Sequence, residues 1–252
     1  MQPLIDDIIG AIPQLHEETR KRQRGRRPWS NAEILEALIY VLESGCPWRK
    51  LPSGMPSKSS IFRRLKSWRE QGLFEQIYHY ALEQAPEARQ GYADATFIRG
   101  MNGGQEIGKT KCGKGSKLQV LCDKDSLPLG FSVWAANHAE SSILLTTLEC
   151  SSQWPRRLLL DKAYDSDTLM RTLEEDYGIM GYSPHRANRR KQPRSQKLAC
   201  QYHQRWRIER LFSWLRHYRR IWQRWEQNVS NYVDWVCLAF ALIILRKGYR
   251  GG

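Results

Sequence analysis

Residues 202–220, YHQRWRIERLFSWLRHYRR, decide how the rest of the chain is read. At about 100° per residue, Tyr202, Arg205, Glu209 and Arg216 fall within roughly a 60° arc of one helix. Ile208, Leu211, Phe212 and Leu215 fill the adjacent sector, which predicts an amphipathic helix whose apolar stripe faces a core. Glu209 then lies on the seam between core and solvent. Two strand-like segments upstream each carry a carboxylate as well: Asp94 in GYADATFIRG (91–100) and Asp161 near the end of RRLLLDKAYD (156–165). Carboxylates delivered by separate elements to one place can hold hard divalent cations and support phosphoryl transfer. No histidine or cysteine is needed in such a donor set, and Mg²⁺, with Mn²⁺ as a substitute, is the expected cofactor.

The charge balance points to the partner. Lys and Arg number 40 against 26 Asp and Glu, a formal +14 over 252 residues. A balance this basic implies a polyanion, and nucleic acid is the first candidate. The basic residues are interleaved with Trp and Tyr rather than ranged along one amphipathic helix, which argues against a membrane surface. The six cysteines show neither C-x-x-C nor zinc-finger spacing, so they read as reduced thiols of a cytosolic, nucleoid-associated protein. The opening MQPLIDDIIGAIPQLHEETRK lacks the apolar region of a secretory signal. The apolar run from Trp235 to Leu245 is too short to span a bilayer and reads as a buried closing helix.

Organisation follows from a change of period near residue 90. Residues 1–20 predict an amphipathic helix with Ile5, Ile8, Ile9 and Ile12 on one side, followed by the basic arm RKRQRGRR. Ser30 or Asn31 caps a second helix that Gly45 ends; Ser57 or Ser59 starts a third, with Ile61, Leu65 and Trp68 inward. Lys58, Arg63, Arg64, Lys66 and Arg69 make a basic outer face on that helix. The segment looks helix-turn-helix-like, with Arg63, Arg64 and Lys66 as DNA contacts. From Gly91 onward short strands dominate. GYADATFIRG, LQVLCDK and LPLGFSVWAA are strands, the last two a hairpin around Asp123–Leu127. A helix follows from near Asn137, then the strand RRLLLDKAY, the helix SDTLMRTLEEDYG, the strand IMGYSP, the basic loop HRANRRKQPRSQK and the Glu209 helix. This order predicts an α/β fold: a mixed sheet flanked by helices, preceded by an all-α domain, with domains at 1–88 and 89–252.

Those residues and their order resemble the DDE transposases of bacterial insertion sequences, in particular the IS-five-like group. The group's pattern Y-x-x-R-x-x-x-E-x-x-x-x-x-x-K falls on Tyr202, Arg205, Glu209 and Arg216, with Arg in place of Lys. Its D-K/R-G-Y-D element falls on Asp161, Lys162, Ala163, Tyr164 and Asp165, with Ala163 in place of glycine, and its first acid falls on Asp94. The resemblance implies an RNase H-like catalytic domain in which Asp94, Asp161 and Glu209 are metal ligands and catalytic residues. It further implies that Lys162, Arg205 and Arg216 lie near phosphate, that Tyr202 orients DNA or the neighbourhood of Glu209, that the N-terminal helices bind terminal repeats, and that the partners are double-stranded DNA, both transposon ends and target. Pairing two ends makes a homodimer or larger synaptic assembly the expected state. Read from the residues alone, Asp123, Asp125, Asp165 and Asp167 compete as ligands, with Asp165 taken as a cap or support. Trp206, Trp214, Trp222 and Trp225 fit either core packing or base stacking. The alternative functions are a non-catalytic DNA-binding repressor or domesticated transposase derivative that keeps only the helical module, and a stand-alone RNase H-like nuclease or resolvase.

Overall fold

In the computed structural model, which describes residues 2–16, 27–187 and 200–248, the elements run in chain order as follows. Helices α1 (Gln2–Ala11), α2 (Asn31–Ser44), α3 (Lys58–Glu70) and α4 (Leu73–Glu83) come first. Strands β1 (Gln90–Gly100), β2 (Gly108–Thr110), β3 (Gly113–Asp123) and β4 (Pro128–Ala135) follow, then α5 (Glu140–Glu149), β5 (Arg157–Leu160), α6 (Asp167–Glu175) and β6 (Met180–Tyr182). The chain closes with α7 (Trp206–Leu215), α8 (Arg219–Trp222), β7 (Gln223–Arg224) and α9 (Val229–Gly248). They form two units, Met1–Gln84 with His217–Trp222 and Ser230–Gly252, and Ala85–Arg216 with Gln223–Val229. The expected boundary at 88/89 put the last helix with the sheet; the contacts place it with the N-terminal helices instead. Most of the arm at 20–27 and the part of the basic loop from 188 to 197 lie outside the described residues.

In the helical unit, local signals set the ends of α2. Ser30 accepts from the Glu33 amide at 3.1 Å, and the Glu33 carboxylate accepts from the Ser30 amide at 2.7 Å, satisfying two otherwise orphaned donors. Gly45 closes the helix in the left-handed region at φ +65°, where a Cβ would come within 3.1 Å of the Arg219 Cβ. Ser57 caps α3, accepting from the Ser60 amide at 3.3 Å. The apolar positions Ile34, Leu35, Leu38, Ile61, Leu65, Ile77 and Leu82 are buried, as their period requires. The run Trp235–Leu245 is buried too, but the helix that contains it is longer than expected. By length and composition Val229–Lys247 could cross a bilayer, yet 67% of it is buried inside the protein. Its partly buried charges are paired, Arg69 with Asp234 at 2.6 Å and Arg246 with Glu43 at 2.5 Å.

In the second unit the sheet order is β2-β3-β1-β5-β6, with β4 also on β3 and β7 on β1. β1 pairs antiparallel with β3 and parallel with β5, and β5 pairs parallel with β6. Residues alternate faces along β1. Ala93 joins Leu121, Leu158 and Leu160 on one face, packed with Leu144 and Leu148 of α5 and Leu169 and Leu173 of α6. The opposite face carries α7, which lies against β1 and β3. Strands β2 and β7 were missed in the sequence, and α5 begins at Glu140, three residues after the expected start. The predicted sheet flanked by helices is otherwise the observed one.

Candidate active site

The ladder between β1 and β5 ends at the pair Ala93 and Leu160. Asp94 and Asp161 are the next residues on each strand, so the first two acids come from neighbouring parallel strands at the point where pairing stops. Asp161 turns the chain. Its carboxylate accepts from the Lys162 amide at 2.6 Å and heads a short 3₁₀ turn over Lys162–Tyr164. The Asp94 carboxylate accepts from the Ala95 amide at 2.8 Å.

One guanidinium serves both acids. Arg205 Nη2 lies 2.8 Å from Asp94 Oδ2, and Nη1 lies 3.5 Å from Asp161 Oδ1. Tyr202 completes the group, donating to Asp161 Oδ1 at 3.2 Å and accepting from Arg205 at 3.3 Å. Burial pushes the Asp94 carboxyl up from 3.8 to about 6; Arg205 and the Ala95 amide oppose the rise, while the charges of Glu140 and Asp161 add to it. Arg205 is itself raised: burial works against its charge, and Asp94, Tyr202 and Asp161 overcome that penalty. Burial likewise raises the Tyr202 hydroxyl. An arginine thus stands where two buried-edge carboxylates require positive charge.

Glu209 is placed differently. Tyr202–Arg205 form a 3₁₀ turn and the α-helix starts at Trp206, so Glu209 follows one turn after Arg205 and is exposed. Among the described residues, no three Asp, Glu, His or Cys side chains lie close enough to hold a metal as arranged. Of the competing acids, Asp123 and Asp165 are otherwise engaged. Asp123 holds its own turn by accepting from the Asp125 and Leu127 amides at 2.8 and 2.7 Å. Asp165 does not cap α6, a role taken by Ser166; it accepts from the Arg186 amide at 2.9 Å and lies 3.1 Å from His185 Nδ1. What Asp94 and Asp161 offer is hard oxygen without nitrogen or sulfur, a donor set that suits Mg²⁺ or Mn²⁺.

The basic residues divide by their partners. Arg63, Lys66 and Lys162 are exposed, Lys66 lying 3.8 Å from Glu70 on the helix surface. Arg64 is half-buried and donates to Asn31 Oδ1 and, at 3.4 Å, to the Trp29 carbonyl; Arg69 is held by Asp234 and the Asn231 carbonyl. Two of the five residues of the expected basic face of α3, Arg64 and Arg69, therefore support the helical unit. Arg216 is exposed, as are Trp206 and Trp225, and Arg210 lies between the rings of Trp206 and Trp214 at 4.7 and 5.1 Å. The Arg205 bridge was not foreseen; the only sequence signal was its place in the Tyr202–Arg205–Glu209 spacing.

Comparisons with known proteins show the family. Residues 10–78 match the sequence profile of a family assigned to transposases of the IS4/5 type, and residues 86–244 match the profile described as a transposase DDE domain. A 16.2 kDa protein of the insertion element IS402 from Burkholderia cepacia is 31% identical over 120 residues, which span 43% of this chain and 82% of that protein. Among solved structures, a chain of the piggyBac transposase synaptic complex with hairpin DNA superposes with a TM-score of 0.58. That match has 11% identity and covers 96% of this chain and 71% of that one, a likeness of fold. A chain of the Mos1 strand transfer complex, at a TM-score of 0.32, 13% identity and coverage of 91% and 79%, is too distant to carry weight. With the DDE-domain match spanning more than half its length, this chain belongs to the DDE transposase family.

Proposed function

We propose that the protein binds the terminal inverted repeats of its insertion sequence, cuts a strand there, and joins the freed 3′-hydroxyl to target DNA. Both steps are phosphoryl transfers and use one centre. The observation that supports this reading best is the meeting of Asp94 and Asp161 at the parting of two parallel strands, both answered by Arg205. Asp94, Asp161 and Glu209 are the proposed ligands of Mg²⁺, with Mn²⁺ as a substitute, and Glu209 joins them from the helix that follows Arg205. Bound divalent cations would activate the attacking oxygen and stabilise the leaving one. The chain's own groups do the rest. Arg205 and Tyr202 hold the two aspartates in place, and Lys162 and Arg216 contribute positive charge for the DNA backbone. Arg63 and Lys66 on α3 are proposed contacts to the repeats, with Arg64 positioning the start of α2. At least two copies would be needed to hold two ends together.

The test is cleavage of a duplex bearing the element's own ends, with Mg²⁺ or Mn²⁺. The wild-type protein should nick at the ends, and Asp94→Asn should bind them without cutting. Specific binding with no cleavage by the wild-type protein at any metal concentration would favour a repressor; cleavage without preference for the ends would favour a general nuclease.

A further inference from the structure

We propose that the β2–β3 hairpin, through Lys109, Lys111 and Lys114, holds the phosphate backbone of the transposon-end duplex beside the point of cleavage. The inference rests on the cutting role given above and adds the part of the catalytic unit that grips the flanking DNA. Positive charge is concentrated here: from Arg99 to Cys122 the chain carries five Lys and Arg against one acid, Glu106. That acid is engaged, its carboxylate accepting from the Ala135 amide at 2.7 Å. Lys117 is engaged as well, 3.3 Å from Glu140 and donating to the His138 carbonyl at 2.8 Å. Lys109, Lys111 and Lys114 are exposed, and none of their ammonium groups has an ion pair or hydrogen bond among the described residues.

The hairpin is built to present these charges rather than to neutralise them. Its base is fixed: a Cβ at Gly115 would collide with the Ile98 carbonyl and the Phe97 ring, and one at Gly108 with Asn137 and the Ala136 amide. Its tip is closed by Gly113 at φ +113°, and the Thr110 hydroxyl donates to the Gly113 carbonyl and accepts from the Cys112 amide, each at 3.1 Å. Within this frame Lys109 and Lys114 stand directly opposite each other on the antiparallel ladder. Like charges at facing positions repel and cost stability, so the pair is unfavourable until an anion answers both ammonium groups. The placement suits DNA held at the cutting centre. Asp94 pairs with Val120, and Lys114 lies six residues before Val120 on β3, on the same face of the sheet by alternation. At about 3.4 Å per residue that is about 20 Å, the length of about six base pairs. The transposon end is the duplex at that centre during the first, cutting step, before target DNA enters. Lysines on an edge strand also guard against edge-to-edge pairing, a role that charge of either sign fills, so reversing the charge separates the two.

Binding of the full-length protein to a duplex carrying the element's own end tests this, with chelator present so that no strand is cut, beside an unrelated duplex and across a salt series. Lys109→Gln, Lys111→Gln and Lys114→Gln together should weaken end binding about tenfold or more and reduce the logarithmic salt slope by about two to three units. Lys109→Glu alone should weaken binding yet melt no lower than wild type, because it turns the opposed lysines into an opposite-charge pair. Trimming one flank to less than about six base pairs beyond the cleavage point, on each side in turn, should cost the wild type on one side the affinity that the triple variant has already lost. If the triple variant and Lys109→Glu both bind as wild type does, the lysines only guard the edge strand and the inference falls alone. A loss confined to the unrelated duplex would assign the hairpin to target DNA and overturn it too. If the wild type itself binds the end no better than the unrelated duplex at every salt concentration, the end-binding reading falls and takes this inference with it. Should the triple variant fail to fold, Lys109→Glu and the trimmed duplexes with wild-type protein decide the outcome.

Discussion

Replacing Asp94 by asparagine should stabilise the metal-free protein, although it removes a residue on which the proposed chemistry depends. The Asp94 carboxyl is pushed up from 3.8 to about 6, first by burial and then by the like charges of Glu140 and Asp161, against the pull of Arg205. An acid whose folded value lies above its unfolded one contributes stability that is fully present below the unfolded value, here about pH 4. That contribution is lost as the pH rises through about 6. At pH 8 the folded protein carries an ionised group it would hold more easily as the neutral acid. The gap of about two units corresponds to roughly 3 kcal/mol at 1.36 kcal/mol per unit. The Asp94 side chain is 24% exposed, and water reaching it reduces the figure to about 1–2 kcal/mol. Asparagine has nearly the shape of the neutral acid. In thermal unfolding with chelator, Asp94→Asn should melt about 3–6 °C above wild type at pH 8. The difference should shrink through pH 6 and vanish near pH 4, while added Mn²⁺ should raise the wild-type midpoint and leave the variant unchanged. A variant less stable than wild type at pH 8, or a difference that does not change with pH, would show that the Arg205 ion pair outweighs burial and refute the reasoning.

Other perturbations separate structural charges from contacts to DNA. Arg63→Ala and Lys66→Ala should each reduce the salt dependence of DNA binding by about one unit in the logarithmic slope, with melting unchanged. Arg64→Ala should instead lower stability by about 1–2 kcal/mol in denaturant unfolding, because Asn31 and the Trp29 carbonyl lose their donor. Ser30→Ala, which breaks the capping box of α2, should cost about 1 kcal/mol in the same measurement. Arg224, 1% exposed, donates to the Gln105, Glu106 and Glu226 carbonyls and to Ser116, so Arg224→Met should cost about 3 kcal/mol by removing those buried bonds, although the Glu106 carbonyl keeps the Ser116 hydroxyl as a donor. Arg205→Gln should tighten Mn²⁺ binding by the DNA-free protein in calorimetry, since the ion no longer competes with a guanidinium; weaker binding would show that Arg205 organises the acids more than it competes for them.

Much of this was legible in the chain because the signals were local. Ser30 followed three residues later by Glu33, and Gly45 after the last apolar position, fix α2 without any distant partner. Asp161 at the end of an apolar run and Asp94 within one were read directly, and the parallel pairing of those runs brings the two together. Tertiary choices were not legible. The basic stripe on α3 gives no hint that Arg64 finds a partner 33 positions earlier or that Arg69 finds one 165 positions later. Strand β7 is two residues long and shows no alternation, and its Arg224 is a charge that pattern alone assigns to the surface. It is buried because backbone carbonyls from the 105–106 turn converge on it.

The Tyr202, Arg205 and Glu209 spacing shows how a local change of winding aligns two residues that the sequence groups together. On an uninterrupted α-helix all three share one narrow arc. The first turn is 3₁₀, however, and at three residues per turn positions i and i+3 eclipse, so Tyr202 stacks directly over Arg205, with the guanidinium 5.6 Å from the ring. That eclipse lets both side chains reach Asp161 while Arg205 also spans to Asp94. The α-helix resumes at Trp206 with 3.6 residues per turn, which keeps Glu209, four positions after Arg205, within about 40° of it on the same side of the helix, one turn further along and exposed. Winding the 202–205 segment as α-helix would rotate Tyr202 away from Arg205 and break the eclipse that aligns them on the aspartates. The short 3₁₀ turn therefore ties the charge balance of the two strand acids to the start of the helix that carries the third.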